Sequence, residues 1–412
     1  MRPSLLRACS AFFLTAALST TALAYDLGED AEYGKILGDF RYRFDDLRKE
    51  NYDKPADAST ARLRLGYQTP TWEGFTGYVE GETIQYIGND DFNDGANHKT
   101  DRPSINDPYD TGLNQLYLNY KMPHNDTGAT VGRQVITFDT ERFIGRSNFR
   151  QNDTTYDGVH FTLNPLDGLH LDYAYVDDAH RSLGTRETQG EYTGDVNLYH
   201  ADYQLPADFK IIGYAYLLDF NQYIAGLSSD TYGGRLEWRP KEAMWEEIKP
   251  WATAEYAWQR DGSDNPQSYH EPYNWLELGG DYHGFDLSAI YEMLGGNGHS
   301  SFQTPLASTH NFNGLVNDFT TIPVDGLRDY YLKLKAPLDI LPWKDQKLDF
   351  TSEFHEFHSY VADVNYGHEF DVGLIYTPVQ NQYISAEAGH LYADSTVIPD
   401  TSKVWITYGL KF

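Results

Sequence analysis

"SKVWITYGLKF", residues 402–412, carries the pattern from which the fold class follows. Val404, Ile406, Tyr408, Leu410 and Phe412 alternate with Lys403, Trp405, Thr407, Gly409 and Lys411, which gives one apolar face at the two-residue period of a strand. Such a strand suits hydrocarbon on one side and water on the other. It predicts an all-β chain whose remaining strands share this alternation.

Strand candidates fall at 36–46, 59–69, 75–87, 112–121, 128–137, 155–164, 167–177, 194–204, 208–219, 230–239, 249–259, 272–283, 285–294, 327–336, 346–357, 366–377, 380–391 and 402–412. Short links such as "TPTWEG" (69–74), "MPHNDT" (122–127), "NPLDG" (164–168) and "HG" (283–284) carry the Pro, Gly and Asn/Asp that tight turns need. Between them come long links, among them 88–111, 138–154, 178–193 and 295–326. Alternating long and short links are expected of a transmembrane antiparallel β-barrel with short periplasmic turns and long extracellular loops. Two less regular links, 240–248 and 337–345, have room for a helical turn, so sixteen strands is the alternative count to eighteen.

Composition agrees. The sequence holds 33 Tyr, 21 Phe, 8 Trp and 35 Gly, and no apolar run of about 20 residues follows the first two dozen positions. Those positions, "MRPSLLRACSAFFLTAALSTTALA" (1–24), carry Arg2 and Arg7, an apolar run and Ala22-Leu23-Ala24, the pattern of a signal peptide cut after Ala24. The expected organisation is a leader, 1–24, and one barrel domain, 25–412, exported to the bacterial outer membrane among lipid and lipopolysaccharide. The end at Phe412 resembles the signal read by the barrel assembly machinery. Cys9, the sole cysteine, lies in the leader, so thiol chemistry has no part in the domain. Subtracting the leader's two arginines from 32 Lys+Arg leaves 30 against 61 Asp+Glu, a formal charge of −31, which argues against nucleic acid.

Alternation assigns faces. Phe40, Tyr42 and Phe44 oppose Arg41, Arg43 and Asp45; Leu63 and Leu65 oppose Arg62 and Arg64; Leu332 and Leu334 oppose Lys333 and Lys335. A slip of one residue would put arginine into hydrocarbon at a cost of about 2–4 kcal/mol each near the midplane, so the charged face belongs to the lumen. Eighteen strands enclose more space than their own side chains fill, which predicts a water-filled passage narrowed by loops that fold in.

The link "GRQVITFDTERFIGRSNFRQNDTTYDG" (132–158) gathers Arg133, Arg142, Arg146 and Arg150 beside Asp139, Glu141 and Asp153. Arginine forks pair with carboxylates bidentately, so arginines facing a passage suit weak, repeated binding of an anion, whereas the neighbouring acids allow a purely structural role. The run 131–161, with "YEMLGGNG" (291–298), "FQTPLASTHNFNG" (302–314) and "DGLRDYYLKL" (325–334), resembles the alginate-export family of outer-membrane barrels. That resemblance implies a barrel with an electropositive constriction through which an anionic polysaccharide passes. It places Arg133, Gln134, Arg142, Arg150 and Asn152 at the family's repeated positions.

The expected pore-lining and substrate-binding residues are therefore Arg41, Arg43, Arg62, Arg64, Glu80, Glu82, Arg133, Arg142, Arg146, Arg150, Lys333 and Lys335, with no cofactor, metal or catalytic group. The expected function is a passive channel for anionic polysaccharide or oligosaccharide, with a porin for uptake of small solutes as the alternative and an outer-membrane hydrolase as a third reading. "HEFH" (355–358) lacks zinc-protease spacing, and on a strand its histidines point to opposite faces.

Overall fold

The structure, a computed structural model, describes residues 33–338 and 346–412. The expected leader with its cleavage point and most of the 337–345 link lie outside the described residues. Eighteen strands form one antiparallel sheet closed on itself, each paired with its sequence neighbours and β1 also with β18. They are β1 Lys35–Lys49, β2 Ala56–Gln68, β3 Phe75–Asp91, β4 Asp110–Lys121, β5 Gly128–Gln134, β6 Thr155–Leu166, β7 Leu169–His180, β8 Glu191–Gln204 and β9 Phe209–Phe220. The second half holds β10 Ser229–Trp238, β11 Ile248–Asp261, β12 His270–Tyr282, β13 Phe285–Leu294, β14 Leu327–Pro337, β15 Lys347–His358, β16 Asn365–Val379, β17 Gln382–Ala393 and β18 Thr401–Lys411.

Closure leaves no strand with a wholly free edge, as suits a bilayer whose core offers no water to an unpaired backbone group; the upper ends of β4 and β6 lack a partner on β5. The chain end helps to close it: Gly38 N–H donates to the Phe412 carbonyl at 2.6 Å, and Phe412 N–H returns a bond to Gly38 at 2.9 Å. A Cβ at residue 38 would push the Phe412 ring from its place over Gly38.

Several strands run past their expected ends on the long-link side, β3 to Asp91 for example. Backbone pairing continues above the level where apolar side chains stop, because the ladder does not depend on them. β5 is the exception: it stops at Gln134 and not at residue 137. Between β10 and β11 the link does hold a helical turn, Trp245–Glu247.

Outward residues are apolar as expected, with Leu65, Leu116, Leu163, Leu276, Leu278 and Leu332 exposed on the outer face. The inner face departs from expectation. Besides charged residues it carries Tyr214, Tyr216, Tyr273, Trp275 and Tyr331, buried in one cluster with Ile136, Phe138 and Ile144 of the β5–β6 link and Phe302, Leu306, Phe312 and Phe319 of the β13–β14 link. Both links fold into the barrel and bring their own apolar side chains, so part of the lumen is a packed core rather than a water-lined passage. Replacing Leu276 by arginine is expected to lower stability by about 2–4 kcal/mol, read as the urea midpoint of the refolded barrel in lipid; an unchanged midpoint would show that residue 276 does not face lipid.

Candidate functional site

Alternation on β1 and β2 sends Arg41, Arg43, Arg62 and Arg64 inward, and register sets Arg41 directly opposite Arg62. Like charges in that position destabilise a sheet unless other groups take up the guanidiniums. The β5–β6 link (135–154) does so with its main chain. Arg41 Nη1 donates to the carbonyls of Asn148, Phe149 and Arg150 at 2.9, 3.1 and 3.0 Å, and Nη2 donates to the Asn148 side chain at 3.0 Å. Arg43 donates to the Phe149 carbonyl and pairs with Asp45 at 2.9 Å. Arg62 reaches the Gln151 carbonyl at 3.2 Å and Asp39 at 2.6 Å. Arg64 reaches the same carbonyl at 3.0 Å, Asp153 at 2.9 Å, and Glu82.

A second wall, β13–β16, holds the β13–β14 link (295–326) with carboxylates. Asn313 Nδ2 donates to Glu292 at 2.7 Å and to Asp329 at 3.2 Å. The N–H groups of Val316 and Leu315 donate to Glu369 at 2.8 Å and Asp371 at 3.3 Å. Asp318 accepts from Lys49 and Thr401, tying the link to β1 and β18.

The two links join inside the barrel. Gly145 N–H donates to the Leu306 carbonyl at 2.9 Å, Ser147 N–H to Ser308 Oγ at 2.8 Å, and Ser308 Oγ to Glu141. Arg142 crosses from one link to the wall that carries the other, with Nε donating to Glu292 and Nη2 to Asn313 at 3.1 Å. Phe149 stacks on His310 with ring centroids 3.2 Å apart, and the Trp405 ring of β18 meets His310 edge-on.

Charge states in the links follow from these contacts. Burial works against the Arg142 cation, but Glu292 more than offsets it and holds the guanidinium above its ordinary range. Burial raises Asp153, yet Arg64 and Arg146 outweigh it and keep the carboxyl below the usual range. Burial pulls Arg150 down against the opposing Asp107 charge. His310 sits well below the ordinary imidazole value, first through burial and then through Lys403, Arg43, Arg150 and Lys333.

Several expected site residues need correction. Arg41, Arg43, Arg62, Arg64 and Glu82 face inward but are buried under residues 148–153, so they grip the link instead of lining bare water. Glu80, also inward, accepts from Tyr78 and Asn114 at 2.7 Å each. Arg142 is buried against Glu292, and Arg146 is tied to Asp153. Arg150 keeps Nη1 buried without a hydrogen-bond partner. Arg133 points to the outer face: it pairs bidentately with Asp157 at 2.8 Å, and Asp157 follows Tyr156, whose hydroxyl is bound inside at the Gly145 carbonyl, so alternation turns Asp157 and Arg133 outward. Lys333 and Lys335 remain half exposed on the inner face, beside Glu353 at 2.7 Å and Asp349 at 4.0 Å.

The acid wall of Glu292, Asp329, Glu369 and Asp371 was not among the expected site residues. Strand parity marks each as inward, but parity carries no sign that a link 295–326 comes down to meet them. In "HEFH", His355 binds Asp329 inside at 3.0 Å, while His358 pairs with Glu356 on the other face.

No family model and no curated protein sequence matches the chain. Solved structures of similar fold are outer-membrane proteins. OccK9 (OpdG) of Pseudomonas aeruginosa aligns at 14% identity with a TM-score of 0.71 over 93% of this chain and 100% of that one. OccAB2 of Acinetobacter baumannii aligns at 13% identity and 0.70, again over 93% and 100%. Pseudomonas aeruginosa OpdK with vanillate aligns at 11% and 0.67 over 92% and 99%. These neighbours support a porin-like eighteen-stranded barrel and give no support to the alginate-export family in particular.

Two outcomes follow. Arg142→Ala leaves Glu292 buried without its cation, at a cost of about 3–5 kcal/mol, and should loosen the joined links, seen as more frequent current fluctuations in planar bilayers; a noise level equal to the parent's would refute the crosslink. Because the His310 value in the folded chain lies below the unfolded value of about 6.5, the unfolded chain takes up the proton first, and the stability it contributes is complete above that pH and is lost as pH falls below it. Fluctuations should therefore increase from pH 7.5 to pH 5 in the parent and much less in His310→Phe.

Proposed function

We propose that the chain is a passive, substrate-selective channel of the bacterial outer membrane that takes up small solutes, with the β5–β6 and β13–β14 links as its constriction. The observation that carries this reading is the joining of those links inside the barrel, one held by arginines of β1–β2 and the other by carboxylates of β13–β16. A long polymer needs a lumen clear along its length, and two links crossing it favour small solutes over export of polysaccharide. The structural neighbours favour the same choice, since OpdK was solved with vanillate, a small carboxylate.

In this reading the β1–β2 wall and Lys333 give the constriction a local positive field inside a strongly acidic protein, since net charge does not fix the sign of a local potential. Arg41 matters most, because its guanidinium donates to carbonyls and an amide rather than to a carboxylate. An anion that displaces those carbonyls gains charge-assisted hydrogen bonds. Around the barrel lie lipid and lipopolysaccharide, and the last strand through Phe412 is read by the assembly machinery. The chain acts as a channel, without a catalytic step.

Reversal potentials across a salt gradient test the reading. The parent should prefer anions, and Arg41→Ala with Lys333→Ala should move the permeability ratio toward cations; vanillate at millimolar levels should reduce the parent's current. A cation-preferring parent whose current ignores vanillate would rule out the anionic selectivity.

A further inference from the structure

We propose that the barrel wall carries a side opening between β4 and the β6–β7 pair, and that the cavity behind it binds a small uncharged saccharide on its way into the lumen. The wall is incomplete at this place. Leu116 with Arg133 is the uppermost pair of β4 and β5, so residues 110–115 of β4 have no partner on β5. β6 begins at Thr155, which pairs with His180 of β7 but has no partner on β5. The chain that would complete the ladder turns inward after Gln134 instead, as the buried Ile136 and Phe138 record.

A cavity of about 320 Å³ occupies this gap, lined by Asn114 and Asn152 on the inner side and by Arg133 and His180 on the outer. Asn114 is inward because it donates to Glu80, and His180 is outward because it shares Asp157 with Arg133. The cavity therefore joins the two faces of the wall. On the outside it sits where apolar residues give way to charged ones: Val159 and Phe161 lie below, with Asp157 and Glu191 at its level. A polar opening at that boundary meets headgroups and water, not hydrocarbon.

The β7–β8 link (181–190) forms its cover. Thr185 closes it with two bonds to Asp110, from N–H at 2.7 Å and from the hydroxyl at 2.9 Å. The charged groups of the lining are largely satisfied by their neighbours, Arg133 by Asp157 and Asp153 by Arg64 and Arg146. Beside Glu187, which has no ion pair among the described residues, and Arg181, held by the Gln189 carbonyl and the Tyr192 ring, a ligand meets hydroxyls and amides such as Thr155, Thr188 and Asn152. Hydroxyls and amides both donate and accept, which matches the hydroxyl groups of an uncharged sugar better than an ion or an aromatic ring.

The proposal rests on the channel reading, and its test separates the two. Asn114→Cys, the single cysteine outside the leader, is treated in phospholipid vesicles with a membrane-impermeant cationic methanethiosulfonate. Gly112 also lines the cavity, and a Cβ there meets nothing within 4 Å, so the position accepts a side chain and Gly112→Trp is chosen to fill the opening. Labelling of Asn114→Cys is expected to proceed in the parent background and with Gly112→Ala, and to be lost with Gly112→Trp; Asn152→Cys serves as reporter if the first variant fails to assemble. Equal labelling with and without the tryptophan, or none in any background, overturns the opening. Protection by sucrose assigns a free sugar, and protection only by added lipopolysaccharide assigns sugars of the surrounding lipid. Protection by neither overturns the saccharide. Conductance of the same preparations reports on the central path: a protein that conducts but labels regardless of residue 112 loses the side opening alone, and one that does not conduct loses the channel reading.

Discussion

Main-chain carbonyls of residues 148–151 are held inside the barrel by guanidinium groups of Arg41, Arg62 and Arg64, and the arrangement of the interior follows from that grip. A barrel of eighteen strands is too wide to be filled by its own side chains. A segment that crosses the space must bring its backbone polar groups with it, and each one left unpaired in a buried place costs free energy. Arginine suits this task because one planar fork serves several acceptors and stays charged. The carbonyls in return spread the repulsion between Arg41 and Arg62, which register sets opposite each other.

The second link solves the same problem with the opposite chemistry. Where the β5–β6 link offers carbonyls to cations, the β13–β14 link offers N–H groups and an amide to carboxylates of β13, β14 and β16. Arg142 and the Phe149–His310 stack then fasten one link to the other. The two links are thus a unit braced on two charged walls, and in the proposed channel the residues of the brace are also those of the constriction. The short β5 belongs to the same design, since the chain that leaves the wall at Gln134 to reach the arginines also leaves residues 110–115 of β4 without a partner on β5.

The sequence by itself determined the barrel. Alternation such as Val404 to Phe412, or Phe40, Tyr42 and Phe44 against Arg41 and Arg43, is imposed by lipid on one side of a strand, and lipid acts on each strand separately. Strand number, closure and the inward direction of Arg41, Arg43, Arg62 and Arg64 were legible for that reason. Arg133 was misplaced because it was read with the link, whereas it lies on β5 two residues after the outward Val131 and shares its face. Which inward charges meet which link was set by the folded chain as a whole. Arg41 contacts residues 107 to 109 positions away in the chain, and Arg142 reaches Glu292 at a separation of 150. Pairings of that span depend on how two links bend through a closed space, and periodicity, which is local, carries no record of them.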